Sequence, residues 1–403
     1  MKILLILAVL CPLPAFANGT CSYPSNTSGC PGSAPATQGV TTPTAIPNTS
    51  FTINGVTTAS VDIVRGLPFV TNGYNAPSGG AQSSEDITIY GPHEAFSSNQ
   101  STYEIIFCQH QGGGSTGGVE QNGCFGDGTV WQENIFEVQR FLGTPNRVGG
   151  KGIILVLCNY LLTNWSLSPS GPNPYPQQWK DAKCALWFAL AQANTIVPGN
   201  RNLVGLYGPS WGGVMIWWMA GTPDTLYSNS SCLASAPGSP PTYVIVPAWS
   251  PQVWTVVNGN ALCANGNTQS QHAMIGQFNA ACGSAVDTAC AAFSPTCDPD
   301  QNITNTYAST YANLVMLWQY GTSGSDLTVP PVWGSGATYG GEMVQTINAF
   351  ASLSKPYHPF FQIIPGGHVS DIGTIASPSQ ADAFNFLLGQ AQPITSGGLG
   401  GNL

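Results

Sequence analysis

Residues 202–220 read NLVGLYGPSWGGVMIWWMA, and the reading of this stretch decides the fold. NLVGLY is a short apolar run of strand length, suited to a strand covered on both faces. GVMIWWMA is apolar all round, which fits a buried helix. Between them stand Gly208, Pro209, Ser210, Trp211 and Gly212. Small residues on both sides of Ser210 let the strand and the helix approach through one tight turn. Such a turn holds its central serine in a strained conformation.

Working outward, the same alternation of strand and helix continues. Residues 86–90 (DITIY), 103–108 (YEIIFC), 152–160 (GIILVLCNY), 242–248 (TYVIVPA), 314–320 (LVMLWQY) and 359–364 (PFFQII) read as strands. The run at 152–160 is continuously apolar, as a doubly covered strand requires. Residues 179–193 have helical spacing, with Ala182, Leu186, Ala189, Leu190 and Ala193 on one side, and Pro198-Gly199-Asn200 ends that element. Residues 379–388 fit a closing helix. The alternation predicts an α/β fold with a mostly parallel central sheet flanked by helices. A long loop, 163–178, follows the strand at 152–160. Residues 252–311 break the pattern and hold Cys263, Cys282, Cys290 and Cys297, which reads as an inserted cap. The catalytic domain is expected over 49–392, after a Ser/Thr/Pro-rich arm at 18–48 and before a flexible tail at 393–403. No internal repeat is visible.

The 403 residues are 42% apolar, enough for a packed core. Only 7% are charged, against about 25% in an ordinary soluble domain, so the surface must be built from Ser, Thr, Asn, Gln and Gly. Aromatic content of 10% argues against disorder. The net charge is −9 and no Lys/Arg cluster occurs, which argues against a nucleic-acid partner and favours neutral or apolar substrates. Lys2, the apolar run Ile3 to Leu10 and the small-residue site Ala15-Phe16-Ala17 read as a signal peptide over 1–17. The apolar run is too short to span a bilayer, so the expectation is a secreted or periplasmic protein without stable membrane insertion.

An exported chain with 12 Cys is expected to form disulfides. Cleavage after Ala17 removes Cys11 and leaves an odd number, so at least one thiol stays unpaired. Cys21 and Cys30 lie close together. Cys108 and Cys124 bracket a Gly-rich loop, which a bridge between them would stiffen. Cys158 and Cys184 are either paired or merely buried. Metal-ligand spacing is absent: there is no C-x-x-C, and no His stands close to a Cys pair. No cofactor is implied.

The G-x-S-x-G pattern occurs twice, at Ser210 and at Ser115 in GGSTG. Ser115 has a strand before it but Gly-rich coil after it, so the strand–turn–helix context selects Ser210 as nucleophile. A serine hydroxyl needs a base. Of the 5 His, His368 follows the last strand in IPGGH, where two glycines can turn the chain back over the sheet edge. His358 precedes that strand, His272 lies in the cap, and His93 lies in an early loop. The imidazole needs an acid to set its tautomer, and Asp326 follows the strand at 314–320, giving the order Ser, Asp, His. Asp298 and Asp300 fall in the cap, and Asp371 lies too near His368 in sequence. Oxyanion donors are expected from the backbone of Trp211 and from the loop after the early strand, at Gln111, Gly112 and Gly113. Trp165 and Trp179, with Tyr175, flank the long loop as candidate substrate contacts, while Trp217 and Trp218 read as core. The stretch DPDQN at 298–302 lacks the Gly and Glu of a calcium loop and reads as a turn.

On these motifs the chain resembles the α/β-hydrolase superfamily, particularly its esterase and lipase branch, over roughly residues 86–388. In that branch an H-G-G-G loop supplies the oxyanion hole. Here Gln111 stands between His110 and the glycines. The resemblance implies a serine hydrolase that cleaves carboxylic esters, small or polymeric, through an acyl-enzyme. A peptidase of prolyl-oligopeptidase type and an extracellular polyester depolymerase are the alternatives. The former usually carries a β-propeller, for which the chain has neither room nor repeats.

Overall fold

The computed structural model describes residues 39–71, 85–97, 102–111, 130–160, 177–192, 196–221, 224, 230–248, 315–321, 360–364 and 378–390. The strands in chain order are β1 (Thr44–Ala45), β2 (Phe51–Ile53), β3 (Val56–Thr58), β4 (Val61–Pro68), β5 (Asp86–Pro92), β6 (Glu104–Gln109), β7 (Ile153–Cys158), β8 (Asn200–Pro209), β9 (Thr242–Ala248), β10 (Val315–Gly321) and β11 (Phe360–Ile364). The helices are α1 (His93–Ser97), α2 (Val130–Phe141), α3 (Gln177–Ala191), α4 (Trp211–Gly221) and α5 (Pro378–Leu387). Every strand and helix expected from residue 86 onward is present, with ends moved by one to a few residues.

Nine of the described strands form one sheet in the order β1-β4-β5-β7-β6-β8-β9-β10-β11. From β7 to β11 all neighbours run parallel, while β1, β4 and β5 add antiparallel pairings at one side. The small hairpin β2–β3 stands apart from it. The sheet therefore begins well before residue 86. Its β1 falls inside the stretch read as an extended arm. In β4 a register shift between Val64 and Leu67 and the positive-φ Gly66 interrupt the alternation that a sequence scan looks for.

The strand order dictates where the helices go. The chain leaves β6 through α2 and returns on one side, at β7. It leaves β7 through α3 and β8 through α4, each time moving the other way. Right-handed crossovers then force α2 onto one face and α3 and α4 onto the opposite face. The core follows this division. Cys184, Leu186, Val214, Met215 and Trp217 pack with Ile105, Phe107, Ile154 and Val156 on the first face. Ile135, Val138, Phe141, Phe384 and Leu387 pack with Ile106, Leu155, Leu157 and Tyr207 on the second. The α4 helix is buried on nearly every side, as its composition requires.

Candidate active site

The direction of the connections reverses between β6 and β8. In an open α/β sheet this opens a crevice at the carboxyl ends of the two strands, and ligands bind there. Ser210 sits at that edge. It is half-buried, follows directly on β8 and precedes α4. Its φ is 51°, one of three positive values at non-glycine residues among the described residues, the others being Asn48 and Asn54 in turns. For a serine the left-handed region costs roughly 1–2 kcal/mol. The surroundings hold it there. Ser210 N donates to Ala248 O at 2.6 Å, tying the turn to β9, and Gly213 N donates to Ser210 O at 2.9 Å.

Two glycines make the turn sterically possible. A Cβ on Gly208 would collide with the carbonyl of Gly212, and one on Gly212 with the carbonyl of Gln109, while His110 O would stand 2.9 Å away. The first turn of α4 thus lies directly on the backbone at the end of β6. That contact brings Trp211, first residue of the helix, and Gln111, two residues past β6, to neighbouring places on one edge. The helix N-terminus adds a favourable field for negative charge there.

His110 is wholly buried and stacks on Tyr160, with ring centroids 4.0 Å apart and planes within 7°. Its Nδ1 lies 2.5 Å from Gln111 O, so Nδ1 carries the proton. Burial lowers its pKa to about 4, against a smaller opposing effect of that hydrogen bond. This imidazole is neutral and tied to its own turn through Nδ1. His93 lies away from Ser210: its Nδ1 pairs with buried Asp62 at 2.9 Å, and it follows β5, which runs antiparallel to β7, so it lies at the opposite edge.

Asp326, His368, Gly112, Gly113 and Trp165 lie outside the described residues, as does the stretch 252–311 expected to form a cap. For Trp179 only the backbone, within α3, is described. The strands that precede Asp326 and His368 in the chain are described. Both β10, which precedes Asp326, and β11, which ends four residues before His368, run parallel to β8 and end at its edge. At a spacing of about 4.8 Å per strand their ends lie roughly 10 and 14 Å from that of β8.

Sequence reasoning missed several groups at this edge. Glu85 shares a hydrogen bond with buried Asp181 of α3. Burial, followed by the Asp181 charge and that bond, raises the Glu85 pKa to about 9. Asn159 donates from its side chain to Asp86 Oδ1 at 2.7 Å, and from its backbone to Asp86 O at 2.9 Å. The pair Glu85–Asp86 thereby grips the end of β7 and the start of α3.

Among the described residues one cysteine pairing is complete. Cys184 bonds to Cys232 across a separation of 48, and Cys158 is a buried free thiol, so the two do not pair with each other. Cys108 is disulfide-bonded. Beside the Cys184–Cys232 bridge, Lys183 Nζ meets Asp224 at 2.8 Å and Trp187 Nε1 donates to the same oxygen at 3.2 Å. Burial lowers the Lys183 pKa, and the Asp224 charge opposes that shift. The backbone of Cys232 also pairs with that of Val70, so α3, the end of β4 and the segment after α4 are stapled together.

A sharp strand–serine–helix turn at the carboxyl edge of a mixed sheet, with covering helices on both faces, defines the α/β-hydrolase type of fold. No protein-family model matches the chain, and no curated protein sequence matches it. Among solved structures it is similar to a truncated carbohydrate esterase from gut microbiota, at 14% identity and a TM-score of 0.49, over 78% of this chain and 95% of that one. It is similar to esterase B from Lactobacillus rhamnosis at 12% identity and a TM-score of 0.46, over 77% and 81%. A hyperthermophilic esterase from the archaeon Pyrobaculum calidifontis gives 12% and 0.45, over 75% and 78%.

Proposed function

We propose that this chain is an exported serine hydrolase that cleaves carboxylic esters. The observation that carries the reading is Ser210 at φ 51°, held between β8 and α4 where the sheet's connections reverse. In the proposed reaction Ser210 Oγ attacks the ester carbonyl while His368 takes its proton. Asp326 orients His368 and stabilises its charged form. Backbone N–H groups of Trp211 and of the 111–113 loop hold the negative oxygen of the tetrahedral intermediate. His368 then gives the proton to the departing alcohol, and water, activated by the same imidazole, releases the acid. Trp165 and Trp179 line the substrate side, and residues 252–311 cap it. The Cys184–Cys232 bridge supports export, since disulfides persist in oxidising compartments.

The test is hydrolysis of short p-nitrophenyl esters by the mature chain, with fluorophosphonate labelling located by peptide mapping. Ser210→Ala is expected to lose both labelling and turnover while staying folded. Full activity in that variant rules the reading out.

A further inference from the structure

Tyr160 follows β7 by two residues and is wholly buried. Its base is anchored, because the preceding Asn159 is bound to Asp86 through both backbone and side chain. The strands β6 and β7 are parallel neighbours with Gln109 opposite Cys158. Tyr160 and the His110–Gln111 turn therefore leave the sheet side by side. The Tyr160 ring lies flat on the His110 imidazole. Its hydroxyl stands 3.2 Å from His110 O and 3.4 Å from Gln111 O. Gln111 O also accepts from His110 Nδ1. Against the carbonyls of Gln109 and His110, from α4, lies Gly212. The turn is thus clamped between Tyr160 and the helix that begins beside Ser210.

We infer that Tyr160 is a positioning residue for the oxyanion loop: its hydroxyl and ring hold the His110–Gln111 backbone in the one orientation that acyl transfer at Ser210 uses. The inference rests on the hydrolase reading. The physical reason lies in the three glycines, 112–114, that come directly after Gln111 in the chain, because glycine backbone is the most costly to order. Donors to a developing oxyanion are effective only when they are fixed before the charge appears. A loop so rich in glycine needs an anchor at its root, and two carbonyls held by one rigid side chain supply it. Tyrosine suits the place because it combines an aromatic face for the imidazole with a hydroxyl at the far end of the ring. Phenylalanine keeps the face and loses the anchor.

The experiment compares wild type, Tyr160→Phe and His110→Phe, the last keeping a stacked ring while removing the Nδ1 donor. Each is titrated with a fluorophosphonate to count reactive Ser210. Turnover of p-nitrophenyl butyrate and inhibition by a trifluoromethyl ketone, which forms a tetrahedral oxyanion on the serine, are then measured per titrated site. The expected result is a fall in kcat of about tenfold or more, with KM within about twofold and the inhibition constant raised by the same factor as kcat falls. A purely structural role lowers the titratable fraction or the unfolding midpoint but leaves kcat per site and the inhibition constant at wild-type values. That pattern in both variants overturns the inference while wild-type activity upholds the hydrolase reading. Wild-type protein that neither labels at Ser210 nor turns over the ester overturns the hydrolase reading, and this inference with it.

Discussion

Replacing Gly212 with alanine adds one methyl group where the structure has no space for it. The new Cβ would stand 2.9 Å from His110 O and closer still to Gln109 O. Both are backbone atoms of a strand end, so neither can swing aside as a side chain would. Ordinary contact between such atoms needs roughly 3.5 Å, so clearing the nearer Gln109 carbonyl forces the β6 end to retreat by more than about 1 Å. Overpacking of this kind costs about 1–3 kcal/mol of stability. The larger effect falls on catalysis, because the strand end displaced is the one that leads into the expected oxyanion donors. A misplacement of about 1 Å can cost roughly 100-fold in rate, so a loss in kcat of about 10- to 100-fold is expected. The assay is ester turnover per fluorophosphonate-titrated site, paired with the denaturant midpoint. Gly238→Ala serves as control, since a Cβ there meets nothing within 4 Å, and it should match wild type in both measurements. Wild-type kcat and wild-type stability in Gly212→Ala would refute the claim that α4 and the β6 end are locked together at the site.

Two further outcomes rest on the packing. Removing the Cys184–Cys232 bridge by a double alanine substitution releases a closure spanning 48 residues, worth about 4 kcal/mol on the chain-entropy estimate, and should lower the denaturant midpoint accordingly. Reduced wild type should move the same way, and an unchanged midpoint in both would show that the Lys183–Asp224 pair and the packing around it carry the staple alone. The buried carboxyls Glu104 and Glu137 are both raised by burial to about 7. The fold therefore favours their protonated forms, so the stabilisation is complete below the unfolded value near 4.5 and is lost as pH climbs through 7. Each contributes at most about 3 kcal/mol to that slope. Denaturant midpoints at pH 5 and pH 8 should differ less in Glu137→Gln than in wild type, and an equal difference would contradict the assignment.

Much of the fold could be read locally. Strands covered on both faces show as continuous apolar runs, which is why β6 to β11 and the helices α3, α4 and α5 were legible. The helix α2 was not, because it emerges from a Gly-rich stretch and carries Gln, Glu and Asn among its apolar positions. The strand β4 hid behind its bulge. Its buried Asp62 looks like a surface residue until His93 and Ser60 are seen to bind it.

The sequence by itself determined the kind of turn at Ser210. A strand, small residues around a serine and an apolar helix leave the backbone few alternatives, and these are short-range constraints. The tertiary structure alone decided what surrounds that turn. It placed β6 between β7 and β8, so that the connections diverge beside the serine. It paired Cys184 with Cys232 and left Cys158 buried and single. It also turned His110 into a neutral strut against Tyr160. No periodicity encodes such pairings, because each joins residues brought together only when separate strands settle into one sheet.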